Sequence, residues 1–201
     1  MLLTACGSGN GSSSDSDKIA GADQDGPSDT APPSTSATSS IKRPAIELPS
    51  DVQDSFENWS LGAAEKDAVL MYAKERIKAT DAAIADADPN SEALIFYYKE
   101  TALAEASAWV QAYVNNGKSI TGTVRFFNPV LKMLDQNTAA LAYCADESKA
   151  FDKGRKDGKT ERTKATKNAY VTYNSRVEKN DQGLWQTASL ISERGNSKCA
   201  R

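Results

Sequence analysis

The chain has 201 residues, 39% of them hydrophobic and 25% charged, with a formal net charge of −3 at pH 7. These are globular values, and no run approaches the roughly 18–20 apolar residues of a membrane-crossing helix. The sequence holds no histidine, which excludes Ser-His-Asp and Cys-His catalysis and any His-based zinc or iron centre. No metal or cofactor is expected.

The first informative segment is Leu3-Thr4-Ala5-Cys6, followed by Gly7-Ser8-Gly9. An apolar residue, two small residues and a cysteine resemble the lipobox of bacterial lipoproteins, in which the cysteine becomes the lipid-bearing N-terminus. This resemblance implies lipidation of Cys6, a membrane partner through the anchor, and an extracytoplasmic location at the cell membrane. A secretory signal needs a basic region and an apolar stretch of about 7–15 residues before cleavage. Only Met1 to Ala5 precede Cys6 here, so the expectation is that the true start lies upstream. The alternative is a lone cysteine in a disordered tail.

Residues 7–44 form the expected linker. Gly7 to Ser40 consist mainly of Ser, Thr, Asp, Gly, Pro and Ala, with Ile19 almost the only sizeable apolar side chain. Such a segment buries too little surface to offset its ordering entropy. As a flexible coil it would reach roughly 30–35 Å. The folded domain is expected over residues 45–201.

Within the domain, Pro49-Ser50-Asp51-Val52 predicts a helix start with Ser50 as N-cap. The short helix would carry Val52, Phe56 and Trp59 on one face. A longer helix is predicted from Ala63 to Ala87, with an apolar stripe at Leu70, Ala73, Ile77, Thr80, Ile84 and Ala87. Asp88-Pro89-Asn90 stops it, and Ser91 caps a third helical segment through Tyr98. Helix resumes from Glu100 to Asn115, with Ala102, Ala106, Trp109, Val110 and Tyr113 on a broad buried face. Asn116-Gly117 ends it.

After Gly117 the period becomes two. Ile120, Gly122, Val124 and Phe126 alternate with Thr121, Thr123, Arg125 and Phe127, Pro129 breaks the run, and Val130 to Leu134 resume it. Asp135-Gln136-Asn137 reads as a turn, and Leu141, Tyr143 and Ala145 open another strand. Glu147 to Thr166 reads as a long polar loop or a hairpin tip. Ala169 to Val177 is the next strand, Asn180-Asp181-Gln182-Gly183 a hairpin turn, and Leu184 to Ile191 the last strand, with Trp185, Thr187, Ser189 and Ile191 on one face. Helices followed by antiparallel strands define an α+β domain with helices packed on one face of a sheet.

With Cys6 reserved for lipid, Cys144 and Cys199 form an even pair, which in an exported protein implies a disulfide. Two separate buried thiols are the alternative.

The helices first, the Cys144-Ala145-Asp146 element and Gly183-Leu184-Trp185 before a terminal cysteine resemble the nuclear transport factor 2-like superfamily, in the form found in exported actinobacterial lipoproteins. The resemblance implies a cone in which a curved sheet wraps the helices around a cavity. It also implies a Cys144–Cys199 bridge and, because dimers are common in the superfamily, a homodimer. Enzymes of that superfamily such as ketosteroid isomerase place a carboxylate base and a phenol in the cone, and buried carboxylates there have raised pKa values. Asp146 or Asp135 with Tyr143 or Tyr113 are the candidates, although Asp146 at a strand end equally reads as a turn cap. Trp109, Tyr113, Phe126, Tyr143, Tyr173 and Trp185 are the candidate pocket lining, or else simply core.

Lys149 to Lys167 contain eight basic residues and three acidic ones, including Lys153, Arg155, Lys156, Lys159 and Arg162. This basic hairpin would suit anionic headgroups or wall polymers, or is merely a solvated tip. An acidic, exported chain is not expected to bind nucleic acid. Two functions follow: a lipid-anchored accessory domain for a partner protein, an envelope component or a small apolar ligand, or a small enzyme of isomerase or hydrolase type using a cone carboxylate.

Overall fold

The computed structural model describes residues 41–199. Cys6 and the linker to Ser40 lie outside them. The elements are β1 (Val52–Phe56), α1 (Ala64–Asp86), α2 (Glu92–Tyr97), α3 (Glu100–Asn115), β2 (Lys118–Met133), β3 (Thr138–Gly154), β4 (Thr160–Glu161), β5 (Tyr170–Lys179) and β6 (Trp185–Arg194). The sheet order is β1-β2-β3-β5-β6, with β4 paired to β3. The expected α+β class is borne out: three helices pack on a sheet that is antiparallel throughout except for β1.

The predicted first helix is instead a strand. Val52, Asp54 and Phe56 point inward while Gln53 and Ser55 are exposed. β1 pairs in parallel with β2, from Val52 opposite Gly122 to Phe56 opposite Phe126. Phe56 stacks on Phe126 at 5.2 Å and meets the edge of Trp59 at 5.0 Å. Five residues are too few to nucleate an isolated helix, and a partner strand about seventy residues away decides the conformation.

The remaining helices follow the sequence closely. Leu70, Ala73, Ile77 and Ile84 are buried along α1. Ala87 adopts φ 60° at its end, and its N–H bonds to the carbonyls of Ala83 and Ile84. The Arg155 guanidinium donates to the carbonyls of Ile84 and Ala85, placing a cation at the negative end of the helix dipole. Ser91 accepts from the Leu94 N–H at 3.2 Å and caps α2, a contact of about 1 kcal/mol.

Three strands depart from their expected limits. β2 does not stop at Pro129, because a register shift between Phe127 and Val130 lets the proline sit where no ladder N–H is needed. Asn128 takes φ 51° at this bulge. β3 runs through the polar stretch to Gly154, since its ladder with β2 requires only backbone groups. At Gly122, φ is 103°, and an added Cβ would lie 2.1 Å from the Lys149 carbonyl oxygen; glycine is what allows the two backbones this approach. In β6, Arg176 pairs with Ser189 but Val177 with Thr187. The extra residue, Ala188, flips the alternation. Ile191 is therefore 69% exposed, and Leu190, Ser192 and Arg194 turn inward instead.

The main core gathers Leu70, Tyr97, Phe126, Leu141, Tyr143, Val171, Val177 and Trp185. A second cluster, with Ile84, Leu94, Tyr98, Ala102, Ala106 and Val110, joins the helices to one another. Cys144 and Cys199 are bonded, with Cα atoms 5.5 Å apart, and pack with Phe127.

Candidate functional site

The helices and the sheet do not close on each other completely. Between them lies a cavity of about 700 Å³, within the range of small-molecule sites. α1 contributes Arg76, Ile77, Thr80, Asp81 and Ile84. α3 contributes Ala102, Glu105, Ala106, Trp109 and Tyr113. The sheet adds Ile120, Val124, Phe126, Tyr143, Glu147, Tyr173, Leu190 and Arg194, and β1 closes one side with Val52 and Gln53. The lining reaches the surface at Glu105, Trp109, Glu161 and Thr163, all exposed.

The deep end is polar. Arg76 is only 4% exposed. Its guanidinium donates to the Tyr143 hydroxyl at 2.5 Å and to the Tyr98 hydroxyl at 3.3 Å, and Tyr98 also bonds the Thr80 hydroxyl at 2.8 Å. Burial opposes the charge, yet the two phenols raise the guanidinium's pKa further above its ordinary value. No carboxylate among the described residues forms an ion pair with it. Because Tyr143 accepts from Arg76, its own hydrogen is left free to donate.

Beside this cluster, Asp81 of α1 meets Asp54 of β1. Burial, the neighbouring Asp54 and then Glu147 push Asp81 well above the ordinary carboxylate range. Burial raises Asp54 to about 6, against the opposing effects of a hydrogen bond with Asp81 and then the charge of Lys78. As two carboxylates neither could donate, and both buried oxygens of Asp54 lack any other partner. A proton on one of the two carboxyls would let it donate to the other. Asp81 is half-buried and lines the cavity.

Nearer the mouth, the Tyr173 hydroxyl donates to Glu147 at 3.3 Å, and Arg194 binds the other Glu147 oxygen at 2.5 Å. Burial and then Glu147 raise the Tyr173 pKa. Tyr113 is pushed to about 12 by burial, then by Asp152, Glu147 and Asp81. Lys118 bridges Asp152 at 2.9 Å and Glu161 at 3.0 Å. Among the described residues no group of three His, Cys, Asp or Glu side chains gathers in a metal-holding arrangement.

Five of the six aromatic candidates, Trp109, Tyr113, Phe126, Tyr143 and Tyr173, meet at this cavity. Trp185 lies outside the lining, 2% exposed, with Lys179 over its ring at 4.8 Å. Trp109 is 50% exposed, so the expected buried face of α3 narrows to Ala102, Ala106 and Val110.

Asp146 also falls outside the lining. It accepts from the Ser148 N–H at 3.0 Å and pairs with Arg125 at 3.4 Å. Burial would raise its pKa, but these bonds together hold it below its ordinary value. Asp135 accepts from the Asn137 N–H in an exposed turn. The basic hairpin is partly spent inside the domain. Lys153 pairs with Asp51 at 2.6 Å, Arg155 caps α1, and Lys159 pairs with Asp157 at 3.5 Å. Lys156 and Arg162 are exposed, with Arg162 over the Phe151 ring at 5.3 Å.

Sequence reasoning missed Arg76, Asp81 and Glu147, which line the cavity, and Asp54 beside Asp81. The available signal was polarity at inward positions: Arg76 and Asp81 each flank a member of the α1 stripe, and Asp54 sits midway between Val52 and Phe56.

Fold and site together define an α+β domain enclosing an aromatic-walled cavity with a buried polar end. No protein-family model matches the chain, and no curated protein matches it. Among solved structures, it is similar to the intermembrane space region of the chloroplast protein ARC6, at 10% identity and a TM-score of 0.43, over 62% of this chain and 92% of that one. A ketosteroid isomerase-like protein from Erwinia carotovora atroseptica gives 12% identity and a TM-score of 0.40, over 63% and 93%. A domain of unknown function with a cystatin-like fold from Nostoc punctiforme gives 13% and 0.40, over 67% and 79%. No site residue carries across at these identities.

Proposed function

We propose that this domain is a nuclear transport factor 2-like cone that binds a small, predominantly apolar molecule in its cavity. The observation carrying the reading is the void of about 700 Å³ itself. It has the size of a small-molecule site and opens to the surface at Glu105, Trp109, Glu161 and Thr163. Ile77, Ile84, Ile120 and Leu190 offer apolar contact, and the free Tyr143 hydrogen offers one bond to a ligand oxygen. In this reading the domain is held at the extracytoplasmic membrane face by lipid on Cys6. The Cys144–Cys199 bridge supports an oxidising compartment.

Calorimetric titration with n-decanol tests the binding. The wild-type chain is expected to show saturable binding at one site. Ala106→Trp with Ile120→Trp, which fills the void from α3 and β2, is expected to weaken it at least tenfold, roughly 1.4 kcal/mol, without loss of fold by circular dichroism. Equal binding by both proteins would overturn the reading.

A second reading, a small enzyme of isomerase type, is favoured by one observation. Burial raises the pKa of both Asp54 and Asp81, and Asp81 lines the cavity together with the Tyr143 phenol that is bonded to Arg76, which suits a general acid or base.

A further inference from the structure

We infer that the molecule bound in this cavity is a cation: an amphipathic amine or quaternary ammonium whose charged head lies between Trp109, Tyr113 and the carboxylates around them. The inference rests on the cavity-binding reading above and adds the charge class of the ligand.

The walls carry five carboxyl residues, Asp81, Glu105, Glu147, Asp152 and Glu161, and two guanidiniums, Arg76 and Arg194. The guanidiniums offset only part of this excess, and Arg76 lowers the Asp81 pKa from the deep end. Arg194 is bound to Glu147. Arg76 sits behind the Tyr98 and Tyr143 phenols with 4% of its surface exposed. On the outer side, a single Lys118 is shared by Asp152 and Glu161, leaving one negative charge over. Glu105 has no ion-pair partner among the described residues, and the Asp54 and Asp81 pair keeps one negative charge when it holds one proton.

The second observation is the aromatic surface in the same place. Trp109 and Tyr113 meet edge to face at 5.4 Å, and both line the void with Phe126 and Tyr173. The Tyr113 hydroxyl bonds no group among the described residues, and burial first, then Asp152, Glu147 and Asp81, raise its pKa. Aromatic faces beside carboxylates attract a desolvated cation through both ring quadrupole and charge. An anion placed beside Trp109 and Tyr113 would be repelled by the same carboxylates. Ile77, Ile84, Ile120 and Leu190 remain to take an aliphatic tail.

Three probes with one tail separate the alternatives: n-decyltrimethylammonium, n-decanol and n-decanoate, titrated calorimetrically into the full chain below their micelle concentrations. The ammonium is expected to bind about tenfold more tightly than decanol, and decanoate more weakly than either. Asp54→Asn combined with Asp81→Asn removes the pair's remaining charge at constant volume. That variant is expected to lose part of the preference for the ammonium over decanol. Decanoate binding as tightly as the ammonium, or no difference between ammonium and decanol, would overturn the inference while leaving the cavity reading intact. Binding of none of the three would overturn both.

Discussion

Replacing Cys144 and Cys199 together with alanine is expected to lower the unfolding free energy by about 4 kcal/mol. The bridge closes a loop across a sequence separation of 55, and a cross-link of that span removes much of the freedom of the unfolded chain. Its folded surroundings need little adjustment. Cys144 stands in register between Phe127 of β2 and Thr172 of β5, and the Thr172 hydroxyl lies 3.2 Å from the Cys199 sulfur. Cys199 is 1% exposed. The bridge therefore clamps the C-terminal tail onto the middle of the sheet. Urea unfolding of the oxidised wild type and the double variant measures the effect, with reduced wild type expected to match the variant. An unchanged midpoint would show that the tail is held by packing alone.

The second large effect is a dependence of stability on pH that runs opposite to ordinary acid denaturation. Asp54 titrates near 3.8 when unfolded and about 6 in the fold. The folded state therefore binds the proton more tightly. The contribution is fully present below about pH 4, declines as pH rises through 6, and is absent above. A shift of this size corresponds to on the order of 3 kcal/mol. Asp81 is raised as well and acts in the same direction. Asp51, Asp146 and Glu178, all held below their ordinary values by hydrogen bonds and nearby cations, work the other way and lose stability as pH falls. Comparison with the Asp54→Asn, Asp81→Asn variant isolates the pair. The variant is expected to be the more stable protein at pH 8, with the gap closing toward pH 4. A gap that does not change with pH would mean the two carboxyls do not share a proton.

Legibility in the sequence followed the range of the interaction that decides each feature. The α1 stripe, the stop at Asp88-Pro89-Asn90 and the Ser91 cap are local. So are the change of period after Gly117 and the turn at Asn180. All of these were readable. β1 was not, because its conformation depends on a parallel ladder with residues 122–126. The Ala188 bulge was equally hidden, since it exists only as a mismatch with Arg176 and Val177, and it decides whether Leu190 or Ile191 faces the cavity.

The site divides in the same way. Aromatic residues at strand and helix spacing pointed to a lining, and five of the six are there. The meeting of Asp54 and Asp81 was not legible. Asp54 and Asp81 are 27 positions apart, and Asp54 faces inward only because the segment is a strand. Arg76 looked like an ordinary helix residue until its two phenol partners, from α2's end and from β3, were in place.

The central claim is that the void between helices and sheet is a binding cavity. Methyl-resolved NMR during a decanol titration tests it most directly. Ala102, Ala106, Ile120 and Leu190 line the void, whereas Val130 is 68% exposed and Ile191 69% exposed, both on the outside. Saturable shifts at the first four methyl groups, with Val130 and Ile191 unmoved, are the predicted result. Shifts confined to Val130 and Ile191, or none that saturate, would contradict it.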